Sequence, residues 1–288
     1  MKFITFAVGD DTHLGLVRGD QVIDLADASR GRLPTDMLAF LRQGEPALQL
    51  AREFEQHATA SLVLSEVTLL APVPNPPKVV AIGLNYMDHC RETNSEPPRV
   101  PVIFAKFSSS VVGPGAAIRW DPALTRQVDY EAELAVVIGR TARCVSAADT
   151  LDYVAGYTIC NDVSARDLQF SDRQWVRSKS LDTFCPLGPW LVTRDEIPDP
   201  HHLSIRCVVN GQALQDSTTD EMVFRVPQLI EFISRAFTLL PGDVIATGTP
   251  GGVGVFRSPQ VFLKDGDVVT VEIEALGQLT NYCVEEKG

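Results

Sequence analysis

Two glutamates stand two residues apart at the entrance to an apolar run, and they constrain this chain more than any other feature. The run, VDYEAELAVVIG, starts at Val128 and carries Glu131 and Glu133. Residues two apart on a strand point to the same face, so these carboxylates would project together. A buried acidic pair is costly unless a positive charge neutralises it. Oxygen ligands of this kind suit a hard cation, Mg²⁺ or Mn²⁺, with Ca²⁺ also compatible.

A third carboxylate, Asp162, ends a second apolar run, VAGYTICND. A Glu-x-Glu pair alone also fits the solvated face of an edge strand, because carboxylates are mostly exposed. Asp162 favours the metal interpretation. If the chain is helical just after it, Arg166 and Gln169 share its face. A carboxylate, a guanidinium and an amide would then meet at one strand end.

Composition excludes several classes of protein. The chain has 288 residues, of which 45% are hydrophobic and 22% charged, as in an ordinary globular protein. Its net charge of −12 argues against binding to nucleic acid or to anionic membrane surfaces. Six cysteines without a C-x-x-C pair predict reduced thiols in a cytoplasmic protein. The N-terminal apolar run is too short for a signal peptide, and no run has the length of a transmembrane helix.

The pattern of turns and prolines predicts two domains and an α+β fold that is predominantly β. Residues 1–25 have the short β-rich runs of a meander, and residues 34–57 change to helical spacing. A proline cluster at 72–77 interrupts regular structure. We therefore expect a small N-terminal α+β domain over residues 1–71 and a main catalytic domain over residues 72–288.

Three features of the second half have clear local signals. Asn210–Gly211 predicts a tight hairpin turn between two strands. Residues 226–240 carry apolar side chains on one helical face and end at a Pro-Gly pair. His201 and His202 follow a proline-containing loop, and we expect both to be exposed.

His89 and Glu92 form a second candidate group. They lie three residues apart in a short predicted helix after a buried strand, and would be neighbours on it. A carboxylate beside an imidazole fixes its tautomer and raises its basicity, which suits a general base acting on water. A plain surface pair is the alternative. Lys106 is a single charge inside an apolar strand, and fits either a site residue or a lysine that reaches solvent.

The glycine-rich TGTPGGVG segment (247–254) does not predict nucleotide binding. It lacks the G-K-[ST] ending of a P-loop and the spacing of a dinucleotide fingerprint. It fits either a plain turn or a turn whose amides, with Thr249, approach an anionic group. The serines at 108–110 lack a G-x-S-x-G context, which disfavours a serine hydrolase. Lys179 lies in a polar loop, where spacing alone gives it no role.

Taken together, the motifs resemble the fumarylacetoacetate hydrolase superfamily, in the family's order and from residue 78 to about 280. The N-terminal segment resembles that of bacterial members of similar length. The resemblance implies a mixed β-sandwich roll with few helices, commonly a homodimer. The matching motifs are VVAIGLNYMDHCRE, VIFAKFSSS, VDYEAELAVVIG, GYTICNDVSARDLQ, SKSLDTFCPLGPW, VNGQALQDSTTDEMVF and LLPGDVIATGTPGGVG.

The same resemblance implies roles for particular residues. The implied metal ligands are Glu131, Glu133 and Asp162; the catalytic residues are His89 and Glu92, as a water-activating dyad, with Lys179; and the substrate contacts are Arg166, Gln169, Lys106 and Thr249. Asp129 shares the face of the two glutamates and could either support the site or mark the solvated entry to the strand.

The function implied is that of a Mg²⁺- or Mn²⁺-dependent hydrolase. It would cleave a C–C bond in a small acylpyruvate or related diketo acid and release pyruvate or a similar 2-oxo acid. The same metal-enolate chemistry also serves an oxaloacetate-type decarboxylase or an isomerase of 2-hydroxy-dienedioates from aromatic breakdown. The non-enzymatic alternative is a metal-stabilised binding protein without turnover.

Overall fold

The computed structural model describes residues 1–60 and 62–286, and it is an α+β fold dominated by strands. The strands are β1 (Lys2–Val8), β2 (Asp11–Arg18), β3 (Gln21–Asp24), β4 (Leu62–Val63), β5 (Thr68–Leu70), β6 (Val79–Gly83), β7 (Val102–Lys106), β8 (Val111–Val112), β9 (Ala117–Trp120), β10 (Val128–Asp129), β11 (Ala132–Ile138), β12 (Val154–Asn161), β13 (Ser164–Ala165), β14 (Cys185–Thr193), β15 (Ser204–Val209), β16 (Gln212–Thr218), β17 (Val244–Ala246), β18 (Val268–Ile273) and β19 (Gly277–Glu285). The helices are α1 (Leu25–Ala28), α2 (Met37–Gln43), α3 (Glu45–His57), α4 (Met87–Glu92), α5 (Arg166–Ser171), α6 (Val176–Lys179) and α7 (Val226–Ala236).

Three sheets organise these strands. The large sheet runs β4-β3-β2-β1-β14-β12-β11-β17-β6-β7, with β5 beside β1 and β8 beside β14. A five-stranded sheet runs β16-β15-β18-β19-β9, and β10 pairs with β13. In the large sheet β11 and β12 are antiparallel, with Ala132 opposite Asn161. The start of β11 therefore lies beside the end of β12, where the acidic residues of both strands meet.

Strand β11 is buried on both faces, which explains its continuous apolar sequence. Leu134 and Val136 face a core shared with the five-stranded sheet and α7. Ala135 and Val137 face a second core, which contains the apolar side chains of α2 and α3. Packing on both faces therefore holds β11 rigidly. As a result, Glu131 and Glu133 at the start of the strand are also held in fixed positions.

The N-terminal segment is joined to the rest of the protein through the large sheet. The predicted meander is confirmed as β1, β2 and β3. Strand β1 pairs with β14, with Lys2 opposite Val192. The helical stretch predicted over 34–57 forms two helices, because Gly44, at a positive φ of 65°, turns the chain between α2 and α3. The division into domains at residue 71 stays a proposal.

The hairpin and helix signals of the second half are confirmed. Asn210 and Gly211 both have positive φ, 50° and 79°, as the tight turn between β15 and β16 requires. Helix α7 carries the predicted apolar face, with Leu229, Ile230 and Ile233 buried. It ends at Ala236. In the described parts of the chain, no helix combines the length and the apolar character needed to cross a bilayer.

The expectation of an exposed His201 is wrong, whereas His202 is exposed as predicted. The His201 ring is buried, and its Nε2 accepts a hydrogen bond of 3.1 Å from the Val226 backbone N–H at the start of α7. Its Nδ1 lies 2.9 Å from Asp199 Oδ1. His201 therefore caps a helix as a neutral ring that donates from Nδ1. His201 lies 25 residues before the Val226 N–H that it caps, so the spacing of residues in the sequence does not predict this contact.

We expect the free energy of unfolding to fall as the pH drops through 6.5, partly because of His201. Burial lowers the pKa of His201 from its ordinary value of 6.5, outweighing Asp199. The unfolded chain therefore binds the proton more readily, and protonation favours unfolding. His201→Ala leaves the Val226 N–H without its acceptor and should cost ~1–3 kcal/mol near neutral pH. Urea unfolding at two pH values, above and below 6.5, measures both effects.

The exposed neighbour provides the matched control for this experiment. His202→Ala keeps the buried His201 ring on the Val226 N–H, so the contribution of His201 to the pH dependence should remain. His201→Ala should show a weaker pH dependence, because the titrating group is gone. Equal pH dependences in His201→Ala and the unmodified protein would contradict the assignment.

Candidate active site

The three predicted acidic residues meet at the shared end of β11 and β12. Glu131, Glu133 and Asp162 are buried, and one carboxylate oxygen from each lies within 4.8 Å of the others. The Asp162 N–H donates to the Glu131 carbonyl at 2.9 Å, which ties the two strand ends together. Three carboxylates offer the oxygen ligands that hard divalent cations prefer.

The charges around this cluster are unevenly distributed. Glu131 accepts from Lys179 Nζ and contacts Arg166 Nη1, each at 2.7 Å. Although burial opposes it, Lys179 and then Arg166 lower the pKa of Glu131 to about 2. Among residues 1–60 and 62–286, Glu133 has one hydrogen bond, from the Gly248 N–H at 2.9 Å. Burial, followed by Asp162 and Glu131, raises the pKa of Glu133 well above its ordinary value. Since Glu133 has no cationic side chain in contact with it within the described part of the chain, a bound cation would supply its positive partner, and the residues fit a divalent metal.

Lys106 lies behind the acidic cluster. Its side chain is buried, and Nζ donates to Asp162 Oδ1 at 2.5 Å and to the backbone carbonyl of Lys179. Lys106 does not line the cavity described below. The structure thus places it where it orients Asp162 and the backbone of Lys179, rather than along the surface open to substrate.

His89 and Glu92 form a pair on α4. His89 Nδ1 lies 2.9 Å from Glu92 Oε2, and the other carboxylate oxygen accepts from the Gly252 N–H at 2.8 Å. A carboxylate that accepts from Nδ1–H leaves Nε2 of the neutral ring without a proton. The start of α4 is held by Asn85, whose side chain bonds to Phe224 and to the Thr247 carbonyl. The geometry therefore supplies a fixed proton acceptor.

Arg166 and Gln169 come together as the sequence predicts, but the secondary structure between Asp162 and Arg166 differs from the predicted helix. Strand β13 follows Asp162, and the helix begins only at Arg166. Arg166 Nη1 donates to Gln169 Oε1 at 2.9 Å, as expected for neighbours three apart in a helix. Its Nη2 is buried and has no hydrogen-bond partner among residues 1–60 and 62–286. Because Arg166 lines the cavity, this nitrogen indicates a site for a ligand oxygen.

Asp129 is buried and supports the site. Its carboxylate accepts from Arg166 Nε at 2.8 Å and from the backbone N–H groups of Tyr130, Gly254 and Val255. Gly254 is required here because a Cβ would lie 1.8 Å from the Val261 carbonyl. Of the two interpretations that the sequence left open, the structure supports the first, in which Asp129 fixes the guanidinium of Arg166.

These groups surround one cavity of about 260 Å³. Its polar side chains include six predicted residues, namely His89, Glu131, Arg166, Gln169, Lys179 and Thr249. Its aromatic wall was not predicted from the sequence, and consists of Phe104, Phe170, Trp175 and Phe256. Phe104 and Trp175 contact each other edge to face, with ring centroids 5.4 Å apart. The cavity is small and is lined by the cationic side chains of Arg166 and Lys179, which suits a short anionic ligand.

Comparison with known proteins places the chain in a family. The family model described as "Fumarylacetoacetate (FAA) hydrolase C-terminal" matches residues 78–284. The chain belongs to the fumarylacetoacetate hydrolase family. It is 51% identical over 276 residues to the mitochondrial oxaloacetate tautomerase FAHD2A of Bos taurus, covering 94% of this chain and 87% of that protein. It is 50% identical over 276 residues to FAHD2A of Homo sapiens, with the same coverage.

Solved structures show the same fold. The fumarylacetoacetate hydrolase of Exiguobacterium antarcticum superimposes with a TM-score of 0.88 at 38% identity, covering 99% of this chain and 100% of that chain. A 5-carboxymethyl-2-hydroxymuconate delta-isomerase of Mycobacterium smegmatis gives 0.80 at 37%, with full coverage of both chains. A maleylpyruvate hydrolase of a Sphingobium species, in complex with manganese(II) and pyruvate, gives 0.80 at 31%, also with full coverage. The expected family and fold are confirmed.

Two narrower expectations are not supported by the comparisons. The expected cytoplasmic location is wrong, because the cattle and human relatives are named as mitochondrial proteins. These relatives are animal proteins, so a specifically bacterial type of family member is not supported either. The relatives are named as enzymes, and this family membership supports an enzyme over a binding protein without turnover.

Proposed function

We propose that this chain catalyses the keto–enol tautomerisation of oxaloacetate, a four-carbon 2-oxo dicarboxylate. One cavity of about 260 Å³ holds both the His89–Glu92 base and the Nη2 of Arg166, which is buried and has no partner in the described part of the chain. This pairing is the observation that carries the proposal. Tautomerisation needs a base and an anchor for a carboxylate, and no attacking water. The names of the cattle and human relatives support the same reaction.

The proton moves from carbon to oxygen within the substrate. His89 Nε2 takes a proton from C3, and the electron pair of that C–H bond shifts to make the C2–C3 double bond of the enol. The π electron pair of the C2 carbonyl moves onto its oxygen, which takes the proton back from the His89 imidazolium, so the atoms and charges balance. Glu92 stabilises the charged imidazolium while His89 holds the proton. Each step is reversible, which allows the enol to return to the ketone by the same path.

Lys179 stabilises the charge that develops on the keto oxygen. Two of its three N–H donors bond to Glu131 Oε2 at 2.7 Å and Asp162 Oδ2 at 2.8 Å, which leaves one for the cavity. Donors aimed at a developing charge in a water-poor site contribute strongly to catalysis. Glu131, Glu133 and Asp162 would hold Mg²⁺ or Mn²⁺, which when bound supplies Lewis-acid stabilisation of a substrate oxygen.

Hydrolysis of an acylpyruvate is the second candidate, because the same base can act on water. The likeness to the Sphingobium maleylpyruvate hydrolase favours it. The tautomerase is favoured because the cattle and human relatives, at 51% and 50% identity, are named oxaloacetate tautomerases. Decarboxylation of oxaloacetate would use the same residues and is distinguished by its product.

One assay separates the three reactions. The ultraviolet absorbance of the enol is followed after adding enol oxaloacetate, while pyruvate release is measured from oxaloacetate, acetylpyruvate and fumarylpyruvate, with Mg²⁺, with Mn²⁺ and with chelator. We expect accelerated loss of the enol without matching pyruvate. Pyruvate from oxaloacetate would establish a decarboxylase, and pyruvate from an acylpyruvate would establish a hydrolase.

The cellular location and the assembly are also proposals. A mitochondrial location follows from the names of the relatives. A homodimer follows from the family resemblance. Fractionation of cells and light scattering of the purified protein test the two separately.

A further inference from the structure

Gln215 is a buried side chain that reaches the active site from outside it. It lies on β16, at the edge of the five-stranded sheet, and its accessible surface is 0%. Its amide contacts two parts of the site at once. One is Ala132, between the acidic residues Glu131 and Glu133; the other is the turn at Thr249 and Pro250.

The orientation of the Gln215 amide is determined by its backbone partners. Its Oε1 accepts from the Ala132 N–H at 2.9 Å, and its Nε2 donates to the Pro250 carbonyl at 2.9 Å. The first partner can only donate and the second can only accept. Rotating the amide by half a turn would therefore set donor against donor and acceptor against acceptor.

This orientation fixes what the Thr249 hydroxyl can do. The second hydrogen of Gln215 Nε2 is donated to Thr249 Oγ1 at 2.8 Å. Thr249 thus accepts from Gln215, and its own proton must be directed elsewhere. No residue in the described ranges 1–60 and 62–286 accepts that proton, and Thr249 lines the cavity. The hydroxyl is therefore presented to the cavity as a donor.

We propose that Gln215 is a positioning residue that orients the Thr249 hydroxyl to donate to an oxygen of the anionic substrate. The inference rests on the proposed function, and deepens it by assigning acceptor character to the substrate atom near Thr249. Arg166 Nη2 presents a second donor to the same cavity, which is consistent with a carboxylate ligand. Gln215 touches no substrate itself and acts through Thr249.

A double-mutant cycle with Thr249→Val tests this positioning role. Gln215→Met and Gln215→Glu are each made in the unmodified protein and in the T249V background. Glu keeps an acceptor for the Ala132 N–H, but as a carboxylate it turns the Thr249 hydroxyl towards itself. The readouts are the KM for oxaloacetate and the Kd of oxalate in the presence of Mg²⁺, measured by calorimetry.

We expect each Gln215 variant to raise KM and Kd on the order of tenfold when Thr249 is present, the scale of one hydrogen bond to a charged group. In the T249V background the same variants should change neither value by more than about twofold, because the oriented hydroxyl is already gone. Equal increases in both backgrounds, or no increase in either, would overturn the proposal and leave Gln215 a structural residue.

Two features keep the outcome interpretable. Q215E preserves the size of the side chain, so it provides the cycle if Q215M does not fold. Oxalate binding does not require turnover. If the unmodified protein binds oxalate but does not tautomerise oxaloacetate, the proposed function fails while the coupling between Gln215 and Thr249 is still measured.

Discussion

Glu133→Gln is expected to abolish stabilisation of the protein by divalent cations while raising the stability of the metal-free protein. Glu133 is buried beside two other carboxylates, and it accepts a hydrogen bond from the Gly248 N–H. Glutamine has the same size and can still accept that bond. It removes the cost of burying a third carboxyl group in the cluster, which stabilises the metal-free protein. It also removes a ligand, which weakens the binding of metal.

Thermal unfolding with and without Mg²⁺ or Mn²⁺ measures both effects. At a cation concentration of about 100 Kd, binding adds about 2.7 kcal/mol to the stability of the unmodified protein. At roughly 2–4 °C per kcal/mol, this raises Tm by about 5–10 °C. In the variant, this increase should disappear, and metal-dependent turnover with it, while the Tm in chelator should be higher than that of the unmodified protein.

Glu131→Gln is the matched control, with the opposite expected effect on the metal-free protein. Glu131 is the partner of both Lys179 and Arg166. Removing its charge leaves two buried cations with less compensation, and breaking a buried pair costs about 3–5 kcal/mol. Both variants should lose the effect of metal, but only Glu131→Gln should lower the Tm in chelator. A Glu133→Gln protein that is still stabilised by metal would disprove the ligand assignment.

The acidic cluster could be predicted from the sequence because its signal is local. Glu131 and Glu133 are two apart on a strand, and Asp162 ends the next strand, which pairs with the first in antiparallel register. Residues at the meeting ends of two such strands must be close. The same applies to His89 and Glu92, whose contact depends only on helical spacing.

The rest of the site depends on contacts between distant segments. Lys179 lies on the short helix α6, and its ammonium reaches Glu131 only because α6 packs beside β7 and β13. Gln215 comes from a different sheet, 83 residues after its partner Ala132. Neither Lys179 nor Gln215 has a spacing in the sequence that predicts its position in the site. Family resemblance identified Lys179, but it gave no reason to single out Gln215.

Burial explains the remaining differences between sequence and structure. Lys106 was predicted to contact substrate, yet the structure buries it behind Asp162. His201 was predicted to be exposed, yet it is buried as a helix cap. In both cases a polar side chain is buried because a specific partner satisfies it. Composition and spacing do not report such partners, because they are set by the tertiary fold.

His89→Gln is expected to reduce kcat for tautomerisation by roughly 10²–10⁴-fold, the usual contribution of a positioned general base. The KM should change little, because the carboxylate anchors Arg166 and Thr249 are untouched. Metal stabilisation should also persist, since His89 is not one of the three carboxylate ligands. Stopped-flow measurement of enol absorbance gives kcat and KM, and thermal unfolding with metal verifies that the cluster is intact.

The proton acceptor and its supporting carboxylate can be separated with further variants. Glu92→Gln should lower kcat less than His89→Gln, because the imidazole remains but loses the charge that stabilises its protonated form. Arg91→Gln is the matched control on the same helix, since Arg91 is exposed and bonds to Glu221 away from the cavity. It should keep the activity of the unmodified protein.

If His89→Gln retained full tautomerase activity, the base would have to be another group, and the mechanism proposed for α4 would be wrong. If it retained tautomerisation but lost cleavage of an acylpyruvate, the dyad would serve water activation, and the hydrolase would become the better description of this site.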